Sequence, residues 1–232
     1  MTPQNQANLP ADFDLTQLGN VPLDSRHSRT LQLASSSCGG PPMWRNRKLV
    51  EARLAVALAQ ISNRLAILSL DLHDDIRLHL LMRVPVACLP DPGGPLQIAP
   101  VAELGIVYPS NAVTEPQPGY SFVSLLNPLP ALYPNISSPA TGQRICLGTT
   151  LVGIRLYEIL FMVYRALTLQ TVQFDAMDSA GIMNPTAADW FQRHPEKIPL
   201  TTASFVQLGQ PAAGRTGILP DSGTMSAAHG GS

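Results

Sequence analysis

Charge is scarce in this chain: Asp, Glu, Lys and Arg make up 13% of its 232 residues, and the formal net charge is -1. So balanced a surface offers no general attraction to nucleic acid, and none is expected as a partner. Cysteine is limited to three positions, Cys38, Cys88 and Cys146. They form no Cys-x-x-Cys pair and have no histidines at ligand spacing. Neither a metal site nor a disulfide framework is therefore expected, and the odd count suits a reducing compartment. No run of about 20 apolar residues is present that could span a bilayer. Met1 to Pro10 is polar rather than built like a secretory signal, so a cytoplasmic protein without a membrane partner is the expectation.

What is present is enough for a core. Hydrophobic residues reach 45%, and the length suits one domain of ordinary size with extensions. Residues 1–42 carry scattered Pro, Ser, Asn and Gln without a sustained apolar period, and are read as a disordered arm. Residues 43–200 are read as the folded domain. Residues 201–232, rich in Gly, Ala, Pro and Ser, are read as a flexible tail.

Within the domain, apolar residues at Val50, Leu54, Ala57, Leu58, Ile61 and Leu65 predict an amphipathic helix over about Trp44–Asn63. Leu65–Asp71 and Ile76–Val84 then predict a hairpin, with Ile76, Leu78, Leu80, Met82 and Val84 on one face. His79 falls on the other face and reads as a surface strand residue. Two further strands, about Val101–Tyr108 and Tyr120–Leu126, complete an antiparallel meander, since no helical crossover intervenes. Val152–Gln170 is the strongest helix, with Leu156, Ile159, Leu160, Val163 and Leu167 as its core stripe. Its aromatic residues read as core, and no cofactor is expected. Asn184-Pro185 caps and opens a short closing helix.

Between the meander and the strong helix runs Tyr133 to Gly148, YPNISSPATGQRICLG. It offers an Asn amide and a thiol, and no histidine or carboxylate. A cysteine protease needs a base beside its thiol. A thiol that carries an acyl group needs instead a donor for the oxyanion formed during transfer, which the Asn135 amide can supply to Cys146.

Tyr133-Pro134-Asn135 followed by Ile145-Cys146-Leu147-Gly148 resembles the His-Pro-Asn and Ile-Cys-Leu signature of the ubiquitin-conjugating enzymes. Tyr133 stands where that family has His, and the gap from Asn135 to Cys146 is a few residues longer, departures that point to its divergent bacterial branch. Tyr108-Pro109 and the helix opened by Asn184 also resemble family features. The resemblance covers about Trp44 to Pro199. It implies an α+β, UBC-like fold: an N-terminal helix, a four-stranded antiparallel meander, an active-site loop, and central and closing helices.

It also implies a function: Cys146 carries a ubiquitin-like protein as a thioester and passes it to an amine of a protein substrate, with Asn135 as oxyanion donor and Tyr133 and Pro134 supporting the loop. The implied partners are an activating enzyme and the ubiquitin-like protein, as in bacterial conjugation operons linked to phage defence. The family's basic first helix docks on the activating enzyme, and Arg45, Arg47, Lys48 and Arg53 occupy that position here; a solvated basic face would carry the same charges. Lys48 and Lys197 are the only lysines, and Lys48 is the expected site of any self-modification. Two other readings stay open: an inactive variant that only binds a ubiquitin-like protein, and a cysteine hydrolase drawing on a distant His79 or His194.

Overall fold

The alternation at Ile76, Leu78, Leu80 and Met82 belongs to a strand with one dry face, and in the computed structural model none of the four is more than 3% exposed. The structure describes residues 15–91, 94–170, 182–199, 201 and 203–206. Its helices are α1 (Ser25–Ser36), α2 (Pro42–Ile61), α3 (Leu156–Leu167) and α4 (Pro185–Arg193); its strands are β1 (Leu65–Asp71), β2 (Ile76–Met82), β3 (Val86–Cys88), β4 (Gln97–Ala99), β5 (Ala102–Tyr108) and β6 (Val123–Asn127). The class is α+β, as expected.

The main sheet has the order β1-β2-β5-β6, every neighbour antiparallel, with Leu80 paired to Leu104 and Leu104 to Leu125. The meander read in the sequence is thus present, with one addition. Between β2 and β5 the chain makes a separate hairpin, β3 with β4, where Val86 pairs with Ala99. Strands of three residues are too short to show a period, so the sequence did not display this hairpin.

Helix α2 meets the core through Ala52, Ala55, Val56 and Ala59. Of the expected stripe, Ala57, Leu58 and Leu65 are buried and Leu54 and Ile61 pack against the core, whereas Val50 is 49% exposed, and the buried face is wider than expected, taking in Lys48 and Glu51, both fully buried. Small alanines allow close approach, and the charges beside them are satisfied internally. Helix α3 buries the expected Leu156, Ile159, Leu160, Val163 and Leu167 but begins four residues later than expected, leaving Val152 in an exposed loop.

The arm expected to lack structure is corrected over its later part. Asp24 accepts the His27 amide at 2.8 Å and caps α1. Few apolar residues hold this helix; polar side chains of α2 hold the chain leading into it instead. Gln60 accepts the Asp24 amide at 2.9 Å and donates to Pro22 O at 2.7 Å, and Arg53 donates to Val21 O. A test for apolar period cannot register such support. The tail is corrected likewise at its start: Phe205 is fully buried, stacked on Tyr164 and edge-on to Phe161, and Ser62 donates to its carbonyl at 2.6 Å. Residues 1–14 and 207–232 lie outside the described residues.

Candidate active site

Beyond β6 the sheet continues irregularly. Leu125 donates to Gln143 O and Ile145 donates to Val123 O, both at 2.9 Å, so residues 143–145 line the outer edge of β6 through the bridge Ser124–Arg144. Residues 135–137 then pair with 144–146: Cys146 donates to Asn135 O at 2.8 Å and Ser137 to Arg144 O at 2.9 Å, on either side of the bridge Ile136–Ile145. All these pairings are antiparallel.

The register decides which side chains meet. Gln143, Ile145 and Ile136 are at most 2% exposed and face the core. Alternation then puts Arg144 and Cys146 on the opposite face, together with Asn135 and Ser137. Asn135 and Cys146 are direct cross-strand neighbours, a pairing that sets Cα atoms about 5.5 Å apart. Asn135 is 5% exposed, and its Oδ1 has no hydrogen-bond partner among the described residues. An enclosed amide oxygen without a partner carries a desolvation cost. Cys146 is half-buried with a free thiol.

Each residue before Asn135 is anchored. Residues 130–132 run beside β3, with Leu89 donating to Pro130 O at 3.1 Å and Leu132 to Ala87 O at 2.9 Å. Tyr133 is fully buried; its hydroxyl accepts the Ala87 amide at 3.3 Å and donates toward Pro85 O at 3.0 Å and Leu167 O at 3.2 Å. It ties the loop to β3 and to the end of α3, and burial pushes its phenol well above the ordinary tyrosine range. Pro134 O accepts the amides of Met183 at 2.7 Å and Asn184 at 2.9 Å, which seats the start of α4 on the loop. Both loop residues singled out in the sequence therefore contact the framework directly.

The chain after Cys146 is anchored as firmly. Gly119 donates to Gly148 O at 2.8 Å, and a Cβ on Gly119 would lie 2.2 Å from that oxygen, so only glycine fits. Further along, Glu51 makes ion pairs with Arg47 at 2.8 Å and Arg155 at 2.6 Å and accepts the Leu156 amide at 2.9 Å. Arg47 donates to Gly153 O at 3.2 Å, and Tyr108 donates to Ile154 O at 2.6 Å. Helix α2 thereby clamps the segment that joins Cys146 to α3.

Protein-family models, curated proteins and solved structures were all compared with the chain, and none matches.

The basic group at the start of α2 does not form a common outward surface. Lys48 is fully buried, its ammonium donating to the carbonyls of Leu72, His73 at 2.8 Å and Asp74 at 3.0 Å, where it closes the β1–β2 turn. Arg47 is committed to Glu51 and Arg53 to Val21 O. Arg45 alone of the four is exposed, with a single bond to Gly40 O at 3.2 Å. The docking reading for Lys48, and its reading as a self-modification site, are corrected by this burial.

Among the described residues, both candidate histidines are engaged by groups other than the thiol. His79 shares the outward face of the sheet with Cys146, but its row runs through Gly105 and Ser124 to Arg144. Three strand spacings amount to about 14 Å, and the His79 ring is engaged by Glu103 at 2.6 Å. His194 stacks on Trp190, with Nδ1 2.9 Å from Trp190 O. Sequence reasoning missed Glu51, Gly119 and Gln143; the Arg47–Glu51 spacing of four was a legible hint, while the other two act through distant chain segments.

Proposed function

We propose that this protein carries the C-terminus of a ubiquitin-like protein as a thioester on Cys146 and transfers it to an amine, a lysine of a protein substrate, in the manner of the ubiquitin-conjugating enzymes. The observation that carries this reading is the direct pairing of Asn135 with Cys146 on one face, with no hydrogen bond from a base to the thiol among the described residues. The order of helix, four-stranded meander, anchored loop, central helix and closing helix supports it as a UBC-like arrangement, with α1 and the β3–β4 hairpin as additions.

In the first step the Cys146 thiolate attacks the thioester on the activating enzyme, whose own thiolate leaves. In the second, the substrate amine attacks the Cys146 thioester carbonyl. The Asn135 amide N–H groups stabilise the oxyanion that forms, the C–S bond breaks to expel the Cys146 thiolate, and the proton lost by the amine passes to that thiolate or to solvent water. Oriented donors in a partly dry site supply such stabilisation without reorganising. A general base at Cys146 is not needed for thioester exchange, and a strongly acidic thiol would be a weaker nucleophile.

The test combines the purified protein with its activating enzyme, the ubiquitin-like protein and ATP. A Cys146-dependent adduct that a thiol reductant removes is the expected result. Binding without an adduct would instead make the protein an inactive variant that only binds the ubiquitin-like protein, and hydrolysis of a simple acyl ester at Cys146 would make it a hydrolase.

A further inference from the structure

We infer that Gln143 is the positioning residue of this site: it holds the Asn135 amide at a fixed place relative to the Cys146 thiol and so sets the rate of the transfer step. The inference rests on the conjugating reading for the transfer itself. Its structural part stands on three observations about one side chain.

Gln143 is 2% exposed, and both ends of its amide are used. Its Oε1 accepts the Ala131 amide at 2.8 Å, and its Nε2 donates to Ser137 O at 3.0 Å. Those partners lie on either side of Tyr133-Pro134-Asn135, so one planar amide spans the base of the segment that presents Asn135. The Gln143 carbonyl meanwhile accepts the Leu125 amide at 2.9 Å, which fixes this span to β6.

The backbone supplies the second observation. Gln143 has φ 48° and follows Gly142 at φ 86°. A residue with a side chain is rarely held in the left-handed region unless its surroundings demand it. Here the tight reversal after the turn at Pro139–Thr141 brings the Gln143 side chain inward and returns the chain to pair with β6.

The third observation is the balance of the two halves of the site. The Cys146 side is fixed by Gly119, Gly148 and the Glu51 cluster, and the approach to Asn135 by Tyr133 and Pro134. Gln143 joins the two, sitting three residues before the thiol while bonding to backbone on both flanks of the Asn. In a transfer reaction a displacement of about 1 Å can cost about a hundredfold in rate. Gln143 thus determines geometry without touching the reacting atoms.

The test uses Gln143→Ala and Gln143→Gly in the full chain. Hydrogen exchange is followed at the Cys146 and Ser137 amides, whose acceptors are Asn135 O and Arg144 O, with the Leu80 amide in β2 reporting the intact fold. Exchange at Cys146 and Ser137 at least tenfold faster, with Leu80 unchanged, is expected in both variants. Discharge of the thioester to lysine should slow at least tenfold at saturating amine, while charging changes less than threefold and the half-saturating amine concentration stays the same. Wild-type exchange and discharge in Gln143→Ala would overturn the inference. So would wild-type behaviour in Gln143→Gly alone, because relief of backbone strain rather than the amide bridge would then be decisive. If the unaltered protein forms no thioester, the conjugating reading falls and the transfer role with it, while the exchange data still decide whether Gln143 holds the pair.

Discussion

The Cys146 amide donates to the Asn135 carbonyl at 2.8 Å, so the two residues pair directly across the mouth of a loop closed by their own backbone. Residues 136–137 and 143–145 belong to the paired runs themselves, and the turn at Pro139–Thr141 returns the chain between them.

On the proposed function, replacing Asn135 by Ala removes the oxyanion donor, and its side-chain oxygen has no hydrogen bond among the described residues that would be lost with it. Discharge to lysine should slow by about 10²- to 10³-fold, with charging of Cys146 less affected. Single-turnover assays of the two steps check this; equal loss in both would remove Asn135 from the role.

Glu51→Ala would leave Arg47 and Arg155 without their shared carboxylate and the Leu156 amide without its acceptor. Breaking a buried charge network from one side costs about 3–5 kcal/mol. Denaturant unfolding should show a loss of this order, and Glu51→Gln, which keeps an acceptor for Leu156, should lose less.

Burial raises the phenol of Tyr133 above its ordinary 10.0, and those of Tyr108, Tyr157 and Tyr164 in the same direction. The folded state then holds these protons more tightly than the unfolded chain. The sign follows: the stability is complete below pH ~10 and is lost progressively as the pH rises beyond it. Tyr133→Phe should lower stability at neutral pH by about 1–3 kcal/mol through its unsatisfied former partners and should flatten the alkaline decline. Unfolding midpoints measured from pH 8 to 11 would show both effects, and a slope unchanged in the variant would count against the assignment.

Lys48 and Lys197 should differ sharply towards amine reagents. Lys48 is enclosed with three carbonyls, whereas Lys197 is exposed. Brief acylation of the native protein followed by peptide mass mapping should find Lys197 modified and Lys48 spared, with Lys48 reacting only after unfolding. Equal labelling in the native state would contradict its burial.

Gly119→Ala would force a Cβ to within 2.2 Å of Gly148 O and 2.8 Å of Gly148 N, both backbone atoms. Overpacking of this kind costs about 1–3 kcal/mol. Because the displaced backbone directly follows Cys146, thiol chemistry should weaken as well as stability. Alkylation kinetics at Cys146, set beside the unfolding curve, would separate the two effects.

Much of this organisation was legible in the residues. The alternation of β2, the stripe of α3, the cap at Asn184 and the order of the meander all follow from local period and capping chemistry, which act over a few residues and leave a mark there. The Asn135 and Cys146 pair was legible as residue types around a turn-rich loop. Helix α1 was not, because its support comes from Arg53 and Gln60 on another helix rather than from a stripe of its own.

What the sequence determined by itself was therefore the kind of each long element and the identity of the amide and thiol that the loop displays. Only the tertiary structure decided which charges are buried, which face Cys146 occupies, and that Gln143 spans the loop. The reason is physical: period and propensity are properties of neighbouring residues, whereas burying Lys48 or Glu51 becomes favourable only when carbonyls, arginines and amides from distant segments converge on it.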